Sequence, residues 1–365
     1  MLSKGEREHY HRQLILSEIG EIGQEKLGNA RVLVIGAGGL GSAILPYLIA
    51  AGIGHTGIMD HDKVDVSNLH RQVLFSTEDV GQNKAVTAAE KLSKLNPHVE
   101  ITAYPKALTK ENAIELFSAY DIIVDGSDNF PTRYLVNDAA VMCNRPVVFG
   151  SIYKFEGQVS VFNYRGGPTY RCLFPSPPPP GASPNCAEIG VLGVLPGLIG
   201  TMQANEVMKI ICGLGEVLSG KLLTIDCLSM RTQVLKFRKT VHEIPEALND
   251  TEYACIREEG VIVEVAPEDF IKSDLKNITV VDVRTSKERE NSQMDILPPD
   301  HDDIHIPLDQ LQSLHHTIPT HQAVVFYCQS GVRSQQAAQL FLQEYPSTNV
   351  QSLRGGLTAL LNSVT

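Results

Sequence analysis

Short apolar runs alternate with longer amphipathic stretches through the first 150 residues. Residues 31–36, 57–60, 121–125 and 146–149 are apolar enough to read as buried strands, and residues 99–104 alternate like a strand. Between them, residues 42–52, 83–96, 111–118 and 133–143 read as helices. This regular alternation predicts an α/β fold, a Rossmann-like, doubly wound parallel sheet. Residues 1–28 predict one or two short helices, with Leu14, Ile15, Leu16, Ile19 and Ile22 as their apolar positions.

The pattern changes after Gly150. Residues 158–162, 222–226 and 233–237 read as added antiparallel strands. Residues 175–181 are almost all proline, which excludes helix and central strand and predicts an exposed loop. The weakly charged stretch 189–205 is interrupted by Gly190, Gly193, Pro196, Gly197 and Gly200. A membrane span needs ~20 mostly apolar residues, so this stretch is expected to be a buried segment. A polar, weakly patterned linker follows. Beyond it, residues 278–283 and 323–327 read as buried strands, 335–344 as a helix, and 350–362 as strand, turn and helix. The expected division is a first domain over 1–240, a linker over 241–260 and a small α/β domain over 261–365.

Composition narrows the setting. A chain of 365 residues suits two or three domains, and 43% hydrophobic residues can fill their cores. A net charge of −11 argues against nucleic acid as a direct partner. The charged N-terminus has no apolar core and is not read as a secretory signal. The seven cysteines are odd in number, scattered and without a C-x-x-C pair. That excludes a disulfide framework and points to a reducing cytoplasm.

The first candidate chemistry follows strand 31–36. Gly36, Gly38, Gly39 and Gly41 allow a tight turn and a close approach to phosphate, with the next helix adding its positive end. Such a loop alone suits a dinucleotide, which needs one acid at the end of the second strand. Here that strand leads into Asp60 and Asp62, then Asn68 and Arg71, with Lys84 close behind. Two cations and an amide near a phosphate loop suit a triphosphate instead. Asp62 as a solvated turn residue, and Arg7 and Arg12 as helix surface, remain open on this reading.

Arg12, the glycine loop, Asp60 and Asp62, the run Ser67, Asn68, Leu69, His70 and Arg71, then Lys84, Asp128 and Asn129 together resemble the MoeB/ThiF family. These are ATP-dependent activators of ubiquitin-like sulfur carriers. The resemblance runs from residue 5 to about 238 and extends to 131–138, 156–158 and 185–191. It implies adenylation of a carrier's C-terminal Gly-Gly carboxylate with release of pyrophosphate. It also implies a homodimer with no membrane attachment. Asp60 and Asp62 would hold the ribose, Asn68, Arg71 and Lys84 the phosphates, and Asp128 a Mg²⁺ ion. Arg12 would act in the other subunit's site. Cys186, in a polar loop, would attack the acyl-adenylate to give a thioester or an acyl-persulfide. Relatives carry a structural zinc on two cysteine pairs. Here Thr169 stands where one ligand is expected beside Cys172, and for the second pair the chain after Phe237 offers only His242 and, much later, Cys255, so no structural zinc is expected. Packing of Tyr170, Leu173 and Phe174 against residues 234–237 is expected in its place.

The second candidate is Cys328, between a buried strand and a helix, with Arg333 closing a C-x4-R loop. Converging amides and a helix start favour an anionic sulfur there. The loop resembles a rhodanese domain, as do residues 280–284 and 305–307. The implied cargo is a sulfane sulfur from a persulfide or thiosulfate donor. Cysteine phosphatases use the longer C-x5-R. The product pathway, whether molybdopterin, thiamine or thiolated tRNA, is open. The alternatives are a non-catalytic scaffold for a ubiquitin-like protein and a nicotinamide-dependent oxidoreductase.

Overall fold

The computed structural model describes residues 2–177, 190–240, 248, 262–272, 278–291, 303–320, 322–345, 348 and 350–364. They fall into two compact units, one up to residue 248 and one from 262 onward. The linker expected over 241–260 lies, Leu248 aside, outside the described residues. No described helix is long and apolar enough to cross a membrane.

The first unit is built on an eight-stranded sheet. Its strands are β1 (Arg31–Ile35), β2 (His55–Met59), β3 (Glu100–Tyr104), β4 (Ile122–Asp125), β5 (Val147–Tyr153), β6 (Glu156–Phe162), β7 (Lys221–Asp226) and β8 (Arg231–Lys236). The order is β3-β2-β1-β4-β5-β6-β7-β8. The first five are parallel and the last three add on antiparallel. Both faces of the parallel part are covered. Val32 and Val34 enter one core cluster, Leu33 and Ile35 the other. That is why β1 reads as a continuous apolar run. Successive strands are added to one side of β1 up to β3 and to its other side from β4, so a crevice opens at the carboxyl ends of β1 and β4, where ligands of such sheets bind.

Three expectations need correction. The N-terminal segment forms three helices, α1 (Lys4–His9), α2 (His11–Leu14) and α3 (Gly20–Asn29). Helix α4 spans Gly39–Ala51 and so starts three residues early, with two of the loop glycines inside its first turn. The stretch 189–205, expected only as a buried segment, leads into an 18-residue helix, Leu195–Cys212, that the glycines and proline had masked. Pro196 sits in its first turn, where no amide hydrogen is needed. Gly200 faces α4, and a Cβ there would lie 2.6 Å from the Leu40 carbonyl oxygen. The apparent helix breaker is the contact point of two helices.

The remaining helices that bear on the sites are α5 (Lys84–Ser93) and α7 (Phe130–Met142), with α6 (Lys110–Ser118) between them. Tyr170 is buried and stacks 4.9 Å from Phe174. Of residues 234–237, Phe237 joins that cluster, whereas Val234 and Leu235 are exposed.

The second unit is a five-stranded parallel sheet. Its strands are β9 (Val263–Val265), β10 (Ile278–Asp282), β11 (Ile304–His305), β12 (Ala323–Tyr327) and β13 (Val350–Leu353), in the order β11-β10-β12-β13-β9. β9 and β11 have only three and two residues, too few for a legible pattern. Val281 and Phe326 pack on one face, Val280 and Tyr327 on the other. The central strand β12 runs straight into Cys328.

Candidate active sites

Gly36 leaves β1 with φ +92°, and a Cβ there would lie 2.8 Å from the Gly126 carbonyl oxygen at the exit of β4. Only glycine fits both demands. The turn delivers the chain to Gly38, the N-cap of α4, which offers no side-chain hydrogen bond to the first-turn amides. Those donors and the positive helix end suit a phosphate. A Cβ on Gly38 would meet the buried Gln72, whose Oε1 has no partner.

Asp60, just past β2, accepts from the Ala37 amide and from the Asp62 amide, each at 2.8 Å. Burial pushes its carboxyl above the usual range, against those two bonds and the charge of Lys84. Its free lone pairs can take ribose hydroxyls. Asp62 is exposed and pairs with Lys84 Nζ at 3.0 Å. Lys84 is buried and opens α5, where the helix dipole disfavours a cation. A buried ammonium placed against a dipole needs anionic partners. Asn83 holds this arrangement, with its Nδ2 donating to the Asp60 and Asp62 carbonyls at 3.1 Å and its side chain capping α5.

Asp65 caps a single turn, Val66–Asn68, by accepting from the Ser67 amide. Arg71 Nη1 donates to the Ser67 carbonyl at 3.0 Å, and His70 Nδ1 lies 2.9 Å from the same oxygen. Asn68 donates to Ser67 Oγ at 3.3 Å. Leu69 is partly buried against the core and contributes packing. His70 and Arg71 line a cleft of about 380 Å³ with Gly39, Val73 and Val194.

Asp128 is exposed beyond β4 and accepts a 3.4 Å bond from Asn129 Nδ2. An accessible carboxylate of this kind suits Mg²⁺, which keeps several waters and takes one or two carboxylates. Asn129 caps α7 through its bond from the Thr132 amide. The turn that presents Asp128 is fixed by residues the sequence reading did not select. Asp125, fully buried, accepts from the Ser127 amide at 3.0 Å and hydroxyl at 2.6 Å. Arg133 donates to the Ser127 carbonyl and to Ser151 Oγ. Burial pushes the Asp125 carboxyl up, opposed by the Arg133 charge. The signal available was an acid ending an apolar strand.

Arg12 does not join this crevice. It is exposed on α2 and lines a separate cleft of about 370 Å³ with Tyr47, Asn205 and Met208. Ile15, Leu16, Ile22 and Tyr47 are exposed as well. Cys186 lies outside the described residues, as do His242 and Cys255. Cys172 accepts from the Thr169 and Thr240 amides at 3.3 and 3.4 Å. Burial opposes these bonds, yet together with those from the Thr169 and Thr240 side chains they bring its thiol below the usual range.

In the second unit Cys328 is fully buried at the end of β12. Its Sγ accepts from the Gly331 amide at 3.2 Å and lies 3.7 Å from Ser334 Oγ. Ser334 donates to the Gly331 carbonyl and accepts from Ser352. Helix α12 (our α8 to α11 being the short Tyr170–Leu173, then Leu195–Cys212, Pro267–Lys272 and Ser286–Asn291) spans Val332–Glu344 and aims its positive end at the loop. Such a cradle stabilises an anionic sulfur. Arg333 lies in the first turn of that helix. Its two terminal nitrogens donate to Glu288 at 2.8 and 2.6 Å. Arg333, then bonds from Thr285, hold the Glu288 carboxyl down to about 2. The run 280–284 proves structural. Arg284 is buried and donates to Asp282 at 2.9–3.2 Å. Arg289 grips Asp303, which also accepts from the Tyr327 hydroxyl.

A glycine turn at the switch point of a doubly wound sheet, joined to a cysteine cradle on a second parallel sheet, defines the class: a nucleotide-binding domain followed by a sulfurtransferase-type domain. The ThiF family model matches residues 10–245, and the rhodanese-like domain model matches 270–363. The chain is 42% identical over 373 residues to the probable adenylyltransferase/sulfurtransferase MoeZ of Mycobacterium tuberculosis, covering 98% of this chain and 93% of that protein. It is 40% identical over 382 residues to the adenylyltransferase and sulfurtransferase MOCS3 of Drosophila virilis, covering 97% and 83%. A sulfur carrier protein adenylyltransferase of Thermus thermophilus is 54% identical over 242 residues, 65% of this chain and 89% of that one. Among solved structures, E. coli MccB with ATP matches at a TM-score of 0.53 and 24% identity, over 60% of this chain and 67% of that one, a likeness of fold. The chain belongs to the ThiF family and carries a rhodanese-like domain behind the ThiF part. Its relatives over nearly the whole length are adenylyltransferase/sulfurtransferases, and its two domains fit adenylation of a ubiquitin-like carrier and sulfur transfer.

Proposed function

We propose that this chain adenylates the C-terminal Gly-Gly carboxylate of a ubiquitin-like sulfur carrier and converts it to a thiocarboxylate with sulfur held on Cys328. The observation that carries the first half is the buried Lys84, set against its own helix dipole beside Asp60, Asp62 and the uncapped start of α4. Asp60, supported by Asp62, accepts the ribose hydroxyls. The amides at Gly38 and Gly39, within the turn from Gly36 to Gly41, bind phosphate. Asn68, Arg71 and Lys84 offset the charge that grows on departing pyrophosphate, with Ser67 and His70 bracing Arg71. Mg²⁺, when bound, would neutralise phosphate oxygens, and Asp128, beside Asn129, would be the carboxylate that holds it. The carrier's carboxylate attacks the α-phosphorus, pyrophosphate leaves, and an acyl-adenylate remains. Cys328 takes up a sulfane sulfur as a persulfide. Cys186 attacks the acyl-adenylate and AMP leaves, giving a thioester. The outer sulfur of the Cys328 persulfide attacks that thioester, expelling the Cys186 thiolate and leaving an acyl-persulfide. A thiol then attacks the Cys328 sulfur of its S–S bond, so that the thiocarboxylate leaves and a disulfide to Cys328 remains. The setting is a reducing cytoplasm, in keeping with the free cysteines among the described residues. The sulfur product could feed molybdopterin, thiamine or tRNA thiolation. The test is pyrophosphate exchange into ATP stimulated by a Gly-Gly-ending carrier, set against hydride transfer to a nicotinamide. Exchange that ignores the carrier would remove the reading.

Arg12 is proposed to serve the partner's crevice in a homodimer. Its absence from its own crevice and the exposed Ile15, Leu16 and Ile22 nearby support this. Mixing Arg12→Ala with Asp128→Ala subunits is expected to restore about a quarter of the exchange activity, because one site in a statistical heterodimer is intact. An active monomer at working concentration overturns this.

The ThiF part is proposed to hold no structural zinc. Thr169 is a poor ligand, and Tyr170, Phe174, Phe162 and Phe237 fill the place by stacking at 4.9–6.0 Å. Elemental analysis of protein purified without chelator is expected to find zinc well below stoichiometric. Near-equimolar zinc that resists dialysis would refute it.

A further inference from the structure

We propose that Glu288 is a specificity-determining residue of the sulfur loop: by engaging Arg333 at two points it withdraws the loop's own cation from an incoming ligand and disfavours dianionic sulfur donors relative to persulfides. The inference rests on the sulfurtransferase reading given above.

Between Cys328 and Arg333 the loop carries Gln329, Ser330, Gly331 and Val332, none of them charged. Arg333 is therefore the cation the loop can offer an incoming anion. Its Nη1 and Nη2 are spent on Glu288 Oε2 and Oε1 at 2.8 and 2.6 Å. A two-point guanidinium–carboxylate pair is the strongest geometry for this contact. The pair sits at the surface, with side chains 31% and 37% exposed, so a ligand approaching the loop meets it. Glu288 is not free to swing aside. The Thr285 amide and hydroxyl both donate to its Oε2, at 2.9 and 2.8 Å. Thr285 Oγ1 in turn accepts from the Glu288 amide, a reciprocal cap at the start of α11. The helix start favours an acid at that place. The other arginines of the β10 exit are also engaged, Arg284 with Asp282 and Arg289 with Asp303. On the β10 side of the loop, the arginines are thus each paired with an acid.

The chemistry makes this matter. The Cys328 thiolate attacks the outer sulfur of a donor, a new S–S bond forms, and the donor's own S–S bond breaks. The electron pair leaves on sulfite when the donor is thiosulfate, or on a thiolate when it is a thiol persulfide. Atoms and charge balance in both cases, with no oxidant needed. Thiosulfate brings two negative charges to a thiolate, so it depends most on a free cation. The perthiol end of a persulfide brings one at most.

The experiment uses the full chain with cyanide as acceptor, and thiosulfate or cysteine persulfide as donor. Glu288→Gln keeps the shape and removes the charge. KM for thiosulfate is expected to fall about three- to tenfold, kcat to stay within about twofold, and KM for cysteine persulfide to move less than about twofold, the range of one part-exposed ion pair. Glu288→Asp retains the carboxylate and is expected to keep the wild-type preference. An unchanged or higher thiosulfate KM in Glu288→Gln, or an equal shift for both donors, overturns the proposal. Loss of kcat with both donors in Glu288→Gln, rescued by Glu288→Asp, would mark Glu288 as a structural tie and also overturns it. A wild-type chain inert with both donors sinks the sulfurtransferase reading, and this proposal with it. Sulfur transfer that is normal in wild type and indifferent to Glu288 sinks the proposal alone.

Discussion

Asp128→Ala is expected to abolish Mg²⁺-dependent pyrophosphate exchange, a loss of about a thousandfold or more, the scale on which metal and charge stabilisation act at phosphoryl centres. Folding should be unaffected. Asp128 is exposed and its contact is one long bond from Asn129, so Tm is expected to match wild type within a degree or so, as for surface substitutions. Asp125, three residues earlier, is the internal contrast. It is buried and binds Ser127 twice, so Asp125→Ala should lower Tm along with activity. Cys186→Ala is expected to leave the exchange largely intact, because pyrophosphate leaves before any thiol is needed. Exchange that survives in Asp128→Ala would sink the metal assignment while leaving the nucleotide site standing.

Cys328→Ala is expected to remove all sulfur transfer, since no other atom in the cradle can carry the sulfane sulfur. Thiosulfate-to-cyanide transfer should fall to background, and carrier incubated with the variant should be adenylated but gain no sulfur. Mass spectrometry of the carrier checks this directly, because exchange of oxygen for sulfur adds about 16 Da. The fold should persist. Alanine fits the buried space, and what is lost is the Gly331 amide's bond to Sγ. Thiocarboxylate formed by the variant would move the sulfur chemistry away from Cys328. Phosphate-ester hydrolysis by wild type without sulfur transfer would favour a phosphatase, against the short C-x4-R spacing.

The sequence by itself determined whatever local backbone chemistry dictates. Continuous apolar runs announced β1, β4, β10 and β12, because strands buried on both faces cannot alternate. Gly36 and Cys328 stood at strand ends, where a turn into a helix start creates an anion site from consecutive residues. Asp60 could be read from its place after β2. Where interaction partners are distant in sequence, the pattern was silent. The Leu195–Cys212 helix was hidden because Gly200 looked like a breaker until α4 supplied the surface that needs a bare Cα. Asn83 reaches back to the carbonyls of Asp60 and Asp62, a strap that spacing does not reveal. Asp125 and Arg133 gained a role only when burial removed the solvent that would otherwise satisfy them. Arg333 was read as the residue that closes the Cys328 loop. The tertiary structure gave its charge to Glu288, 45 residues away in the chain, because parallel strands β10 and β12 bring their exits side by side. Residue type and local order set which groups could react, and the pairing of remote charges decided which of them remain free to do so.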